Sequence, residues 1–144
     1  MPGDTNGGRC AEPVLLIFDN WNTAAVKNGG RAPSVDTRGA LGKPRSTRWC
    51  LVRIETYHFN NGVGAAPGTL GLKDSTGAVL GPYAATGTPS GTVPNANWSA
   101  DAGTPSPLLD GTYTVGDSSP RTWSGNAQSG TCFARVYVKE YVEP

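Results

Sequence analysis

The chain has 144 residues, a net charge of +1 and 16% charged residues, together with 20 glycines and 12 prolines. A chain of this length forms one domain that buries roughly 70% of its unfolded surface. The basic residues form no stripe and no apolar run approaches the roughly 20 residues of a membrane span, so nucleic acid and membrane insertion are excluded from the expected partners.

Short runs of valine, threonine and tyrosine between glycine- and proline-rich stretches are typical of many short strands. We therefore expect an all-β chain that forms a single-domain antiparallel β-sandwich, jelly-roll-like or immunoglobulin-like, with long Gly/Pro-rich loops. Residues 1–12 are expected to be a flexible lead-in and residues 13–144 the β-sandwich domain. The lead-in has neither the basic nor the apolar segment of a signal peptide.

The first predicted strand is the apolar run 13–18, whose lack of alternation predicts burial on both faces and a central place in its sheet. Asp19, Asn20 and Asn22 follow it directly, and Asp117 ends a later strand. Carboxylate and amide oxygens in irregular loops are the ligands that calcium prefers, so these four residues are the candidate metal site. The alternative is that they form Asx-turns, the commonest use of Asp and Asn in turns.

Residues 49–61 form the longest predicted strand, and the rest of the chain is expected to pack around it. Its period of two puts Cys50, Val52 and Ile54 on the face that points to the core. The same face continues to His58, where the strand becomes polar. A strand that leaves the core in this way predicts a functional site at its far end.

The later elements are less regular. Residues 69–73 and 78–80 predict a hairpin, and residues 81–111, rich in glycine, proline, serine and threonine, predict a long functional or flexible loop. A short strand is expected at 112–115. The last strand, 131–141, alternates small apolar residues with larger ones and is the expected core partner of the longest strand.

The three cysteines lack the CxxC spacing of a structural zinc site. Cys50 and Cys132 each stand at the start of the inward face of a long predicted strand. These matching positions predict a disulfide between them, with Cys10 as the spare thiol.

The aromatic and amide residues predict a sugar-binding surface. Aromatic rings stack on the apolar faces of sugars, and amide groups then bind the hydroxyls. The candidate ligand-binding residues are Trp21, Tyr57, His58, Asn60, Asn61, Trp98, Trp123 and Asn126. The alternative is that the tryptophans fill the core under long loops, as we expect for Trp49, and the sequence leaves both possibilities open for Trp21 and Trp123.

Catalysis through His58 is a third hypothesis, with Asp117 or Asp19 as its partner and Ser124 or Ser129 as the nucleophile. No GxSxG elbow supports it, and no pair of carboxylates falls in an apolar pocket pattern. We expect instead that neutral His58 bridges two loops through hydrogen bonds from its ring nitrogens, and that the chain is not an enzyme.

Three segments together resemble a known group: DNWNTAAVKNGG at 19–30, TYHFNNGVGAAPGTLGL at 56–72 and GTYTVGDSSPRTWSGNAQSG at 111–130. Their pattern and order are similar to those of a group of uncharacterised bacterial secreted domains, found alone or attached to larger exported proteins. The resemblance implies a secreted or extracellular domain with a shared polar site. It implies no reaction.

These observations predict a non-catalytic secreted binding module that takes a glycan or cell-surface polysaccharide and holds a structural calcium ion. The second hypothesis is a structural or assembly subunit of an extracellular fibre, tail or surface layer. In that case the apolar run 13–18 would mediate self-association by adding to the sheet edge of a neighbouring copy.

Overall fold

The computed structural model describes residues 7–22 and 24–144. Within these residues the regular structure is almost entirely β-strand, and two antiparallel sheets contribute side chains to one shared core. The predicted all-β sandwich is therefore confirmed. The helical segments of the described residues are two short 3-10 turns, Ala40–Gly42 and Asn60–Gly62, and no helix in this part is long and apolar enough to cross a membrane.

The strands are short, with four exceptions of nine residues or more. In chain order they are β1 (Arg9–Asp19), β2 (Lys27–Asn28), β3 (Ser34–Asp36), β4 (Trp49–Tyr57), β5 (Thr69–Asp74), β6 (Val79–Ala84), β7 (Thr86–Ser90), β8 (Val93–Asp101), β9 (Leu108–Leu109), β10 (Thr112–Asp117), β11 (Ser124–Gly125) and β12 (Ala134–Val142). The β5–β6 hairpin and β10 lie where the sequence predicts them.

The larger sheet has six strands in the order β1-β12-β4-β8-β7, with β9 paired to the start of β4. The smaller sheet has the order β3-β10-β5-β6, and β2 pairs with β11 in a separate ribbon. The edges of the larger sheet are therefore β1 and β7, and those of the smaller sheet are β3 and β6.

The core consists of side chains from the facing surfaces of the two sheets. The larger sheet contributes Leu51, Ile54, Trp98, Ala100, Val136 and Val138, and the smaller contributes Val35, Leu70, Leu72, Tyr113 and Val115. Trp49 is fully buried as predicted, and its indole N–H donates to the carbonyl of Thr37 at 3.1 Å. Burying a large apolar side chain contributes about 1.5 to 3 kcal/mol, so this shared core is the main stabilising feature of the sandwich.

The strand β4 follows its predicted alternation only in its second half. Two steps along β4, from Arg53 to Leu51, correspond to one step along β12, which marks a β-bulge. The bulge shifts the phase of the strand. Ile54 faces the core as predicted, but nearer the start of the strand Leu51 belongs to the core in place of Cys50.

The predicted disulfide between Cys50 and Cys132 is wrong. Cys10 and Cys50 form the disulfide, with their Cα atoms 5.9 Å apart, and Cys132 is a buried free thiol. The predicted pairing of the two long strands is confirmed, since β4 pairs with β12. Because that pairing is antiparallel, Cys50 lies opposite Lys139, whereas Cys132 precedes the other end of the pair, near Thr56.

The strand β1 also differs from its prediction. It begins at Arg9, so the last residues of the predicted lead-in pair with β12, while residues 1–6 lie outside the described residues. It is an edge strand rather than a central one, and Val14 and Leu16 are 39% and 38% exposed. The unbroken apolar run therefore reflects an edge with apolar side chains on both faces.

Residues 81–111, predicted as a long loop, contain most of β6 and all of β7, β8 and β9. The strand β8 is central, between β4 and β7. Its buried positions Ala96, Trp98 and Ala100 do alternate. Alanine carries too little apolar surface to stand out among the intervening polar residues, so the period of two was missed.

Candidate functional site

One face of the six-stranded sheet, the face that points away from the core, carries a continuous row of polar side chains. Successive pairings place Asp19 beside Arg135, Arg135 beside Glu55, and Glu55 beside Ser99. Directly paired residues have Cβ atoms about 5 Å apart, so neighbouring members of the row are in reach of each other. The adjacent residue Ile54 points into the core instead.

A groove of about 260 Å³ opens on this row, and we call it the polar groove. It is lined by Trp21, Glu55, Thr88, Asn97, Trp98, Ser99 and Arg135. Pockets for drug-sized ligands measure about 300 to 1,000 Å³, so the polar groove suits a smaller ligand.

Trp21 and Arg135 contact each other at one side of the groove. The guanidinium carbon of Arg135 lies 4.2 Å from the centroid of the Trp21 ring, in cation-π contact. The carboxylate of Asp19 accepts from the Nε of Arg135 at 3.4 Å and from the backbone N–H of Trp21 at 2.9 Å. The two terminal nitrogens of Arg135 donate no hydrogen bond to another described residue, which leaves a planar donor group in the groove.

Glu55 is held in place by two neighbours. Its carboxylate accepts from the Nε of Arg53 at 3.2 Å and from the hydroxyl of Tyr137 at 3.1 Å. Burial raises the pKa of Tyr137, and the nearby charge of Glu55 raises this pKa further, so the phenol remains a donor at neutral pH. Glu55 therefore presents a fixed carboxylate, 3.9 Å from the Nη1 of Arg135.

The remaining polar groups of the groove keep hydrogen-bonding capacity. Neither the hydroxyls of Thr88 and Ser99 nor the indole N–H of Trp21 bonds to another described residue. The amide nitrogen of Asn97 donates to the carbonyl of Pro89 at 3.2 Å, which leaves the amide oxygen as a free acceptor. Donors and acceptors thus converge beside an aromatic ring.

The structure places the predicted sugar-binding aromatic residues in two different environments. Trp21 is half-buried and lines the polar groove. Trp98 and Trp123 are 1% and 3% exposed, and their indole nitrogens donate to the carbonyls of Ala65 and Phe133 at 3.0 and 2.8 Å. The prediction that these two residues form a stacking platform is wrong, because their rings are covered by the core.

Four other predicted ligand residues lie apart from the groove. Tyr57 is buried, with its ring centroid 5.4 Å from that of Trp21. The side chains of Asn60 and Asn126 are hydrogen-bonded within the loops that carry them or to the adjoining loop, and Asn61 is exposed. None of these four lines the polar groove.

His58 lies in a buried polar network with Asp117. Its Nε2 is 2.6 Å from a carboxylate oxygen of Asp117 and its Nδ1 is 2.8 Å from the hydroxyl of Thr122. The hydroxyl of Thr56 donates to the same carboxylate oxygen at 2.8 Å, and the imidazole stacks on Trp98 with centroids 3.7 Å apart. The predicted bridging by both ring nitrogens is confirmed.

The predicted neutral imidazole fits this network with one assignment of protons. A carboxylate can only accept, so the Nε2–H of His58 donates to Asp117, and neutral imidazole then accepts at Nδ1 from Thr122. The Ser119 hydroxyl, 2.7 Å from that of Thr122, donates in turn. The order hydroxyl, imidazole, carboxylate is that of a catalytic triad, but the side chains of His58 and Asp117 are 0% exposed.

The predicted calcium ligands lie in two different places. Asp19 pairs with Arg135, and Asn20 and Asn22 are hydrogen-bonded to the chain just before and at the start of β12. Asp117 belongs to the buried network instead. Backbone N–H groups two residues further on donate to Asp19 and Asn22, as the Asx-turn alternative predicts. Within the described residues, no group of three or more His, Cys, Asp or Glu could hold a metal ion, and the calcium ion stays a prediction.

Sequence reasoning missed Glu55, Arg135 and Ser99 as site residues. The alternation of a strand shows which of its residues face away from the core, but it does not show that β12 and β8 bring these residues together on either side of β4. No family model matches the chain, and no curated protein or solved structure matches it.

Proposed function

We propose that the protein is a non-catalytic glycan-binding module whose ligand occupies the polar groove. One observation carries the proposal: an exposed part of an aromatic ring, a fixed carboxylate and unused hydrogen-bonding groups line one small groove. Sugars combine apolar C–H faces with hydroxyls that both donate and accept, and this lining offers a partner to each.

The charges of the groove support a neutral sugar. Glu55 and Asp19 are balanced by Arg135 and Arg53, since each carboxylate has a guanidinium within 3.4 Å. A neutral hydroxylated ligand adds hydrogen bonds to this arrangement without leaving a charge unpaired.

The disulfide supports the secreted or extracellular part of the proposal. Disulfides persist in oxidising environments and are rare where glutathione keeps thiols reduced. The Cys10–Cys50 bond joins β1 to β4, strands that both pair with β12. We therefore propose that the module works outside the reducing cytosol, on a glycan or a cell-surface polysaccharide.

A glycan array followed by calorimetry with the best ligand tests the proposal. Asn97→Ala removes the free amide oxygen and should weaken binding about five- to tenfold, the effect of one lost hydrogen bond of about 1 to 1.5 kcal/mol. Arg135→Gln should weaken it at least as much. Asn61→Gly is the control, because Asn61 is exposed, lies outside the groove and has a positive φ of 56° that glycine adopts freely.

Binding that survives Asn97→Ala and Arg135→Gln but is lost in Asn61→Gly would move the site to the loop after β4. An array with no ligand at all would refute the glycan proposal. Melting temperatures of the variants, measured alongside, separate lost binding from lost folding.

Strand addition is the second candidate function, and one observation favours it. The edge strand β1 exposes Val14 and Leu16, and its outer backbone groups have no partner strand among the described residues. Apolar edges pair with other chains unless charges or bulges block them, and the register of β1 with β12 shifts between Ala11 and Leu15 and between Leu16 and Phe18. If copies of the protein associate through β1, sedimentation should show concentration-dependent oligomers that Leu16→Lys abolishes and Val63→Lys, at a 68% exposed loop valine, preserves. A concentration-independent monomer would refute this candidate.

A further inference from the structure

A second groove, of about 470 Å³, crosses the outer surface of the four-stranded sheet. We call it the apolar groove. The residues that line it are Gly30, Ala32, Thr69, Leu70, Gly71, Leu72, Lys73, Val79, Pro82, Thr114, Val115, Gly116, Asp117, Ser118, Pro120 and Trp123. Its volume lies within the range of about 300 to 1,000 Å³ that is typical of small-molecule sites.

The floor of the apolar groove is a pair of glycines on the two central strands. Gly116 of β10 lies directly opposite Gly71 of β5. Their neighbours Val115 and Leu72 point into the core, so both glycines face outward. Gly116 is exposed, so the sheet surface is bare backbone there, whereas Gly71 is buried beneath the backbone of Leu80 and Pro82.

The structural reasons for glycine differ between the two positions. A Cβ on Gly71 would lie 2.7 Å from the carbonyl oxygen of Leu80, so the local strand geometry requires glycine there. A Cβ on Gly116 would meet only the carbonyl oxygen of Gly71, at 3.7 Å, an ordinary contact, and its φ is not positive. Glycine in a strand interior costs stability and often marks a place where a ligand approaches the backbone closely. Packing within the fold does not explain Gly116, whereas an occupied groove does.

The walls are apolar, and one lysine side chain stands at the groove. Val79 is 56% exposed, and Pro82 and Pro120 add further apolar surface. Lys73 is exposed, and its ammonium forms no ion pair or hydrogen bond with another described residue. Asp117 also lines the groove, but its carboxylate is 0% exposed and accepts hydrogen bonds within the buried network, so Lys73 presents the accessible charge.

We propose that the apolar groove binds a small aromatic carboxylate. The aromatic ring lies flat on the exposed backbone at Gly116, the way in which aromatic side chains cover glycines in sheets. The carboxylate pairs with the ammonium of Lys73. This site is separate from the polar groove, and the proposal does not depend on the glycan-binding function.

Titration of the full chain with 2-naphthoate, followed by the backbone amide resonances in two-dimensional NMR, tests the proposal. The expected result is a saturable shift centred on Gly71, Lys73 and Gly116. The uncharged analogue 2-naphthamide should bind up to about fivefold more weakly, the range that a solvent-exposed ion pair supplies. Lys73→Gln should abolish this difference between the two ligands.

Gly116→Val fills the groove and should abolish binding of both ligands, and Gly116→Ala, which makes only an ordinary contact, should weaken it if the valine variant fails to fold. Thr112→Val is the matched control, a β-branched residue at the other end of β10 and outside the groove. Shifts that do not saturate, that centre on the polar groove, or that persist in the Gly116 variants overturn the proposal.

Discussion

At the scale of single residues, the buried carboxylate of Asp117 is the side chain on which most of a polar network depends. One oxygen accepts from Thr56 at 2.8 Å and His58 at 2.6 Å, and the other accepts from the backbone N–H of Ser119 at 2.8 Å. All three groups donate to the carboxylate. The network therefore requires a side chain at this position that only accepts hydrogen bonds.

Asp117→Asn tests this dependence with almost no change of shape. The amide nitrogen of the new side chain would face groups that themselves donate hydrogen bonds, so buried donors would be left without an acceptor. Leaving such groups unpaired lowers the free energy of unfolding by about 1 to 3 kcal/mol. Urea denaturation at neutral pH measures the loss. Asp110→Asn, at an exposed position, is the control and should change the free energy by less than about 0.5 kcal/mol. Equal effects of the two substitutions would contradict the role given to the network.

The thiol of Cys132 gives a second prediction at this scale. Burial, with a smaller contribution from the charge of Asp117, raises its pKa to about 11, so the native protein holds it as a neutral and unreactive thiol at pH 8. The neutral form is favoured by folding, so stability is unaffected below the unfolded pKa of about 8.5 and falls as pH rises from there toward 11. Mass spectrometry after iodoacetamide should find no alkylation in the native state and one alkylated thiol in unreduced urea. Alkylation of the native protein would contradict this assignment.

At the scale of elements, the disulfide shows what the alternation pattern of a strand can and cannot predict. The sequence correctly predicts that β4 and β12 pair, because both alternate strongly, but a period of two contains no information about which end of one strand meets which end of the other. The antiparallel direction separates Cys50 from Cys132, and β1 brings Cys10 to Cys50 instead.

Cys10→Ser tests the observed disulfide. The cross-link spans a sequence separation of 40, for which loop closure predicts about 4 kcal/mol of stabilisation in the chain-entropy model, with losses of about 2 to 5 kcal/mol typical on removal. The double variant Cys10→Ser/Cys50→Ser should lose no more than the single variant, because the same bond is already absent. Non-reducing peptide mapping of the natural sequence should recover Cys10 and Cys50 in one peptide pair. A pair that contains Cys132 would contradict the structure.

The elements that the sequence missed have a common cause. In β8 the inward positions are mostly alanine, and in β7 glycine and proline interrupt the strand, so neither shows the apolar contrast that predicts a strand. In β1 the opposite occurs, since strong apolar character at an edge imitates a buried strand. Alternation of apolar and polar residues predicts strands well only where one face of the strand is buried against large side chains.

At the scale of the whole molecule, the two sheets carry two grooves of different chemistry on opposite outer surfaces. The polar groove follows a row that runs across β1, β12, β4 and β8, and the apolar groove follows a row that runs across β10 and β5. Each row exists only because strands distant in the sequence pair in one register. The sequence shows which face of a strand meets solvent, but it does not show which exposed residues become neighbours, and for this reason the grooves could not be predicted.

The predicted calcium ion also belongs to this scale, since its candidate ligands lie at the end of β1, in the loop after it, and at the end of β10. In the structure protein donors hold both places: Asn20 accepts from the backbone N–H of Ala134 at 2.8 Å, and Asp117 accepts from His58. The close carboxylates whose repulsion a cation would relieve are not found together, because Asp19 already pairs with Arg135. If these donors suffice without an ion, EDTA leaves the melting temperature unchanged, whereas a bound calcium ion predicts a fall in EDTA and recovery with calcium. Calcium at a hundred times its dissociation constant would stabilise a protein that binds it by about 2.7 kcal/mol, or several degrees. A rise of that size on adding calcium, absent in Asp19→Ala, would restore the ion and require the loops to rearrange around it.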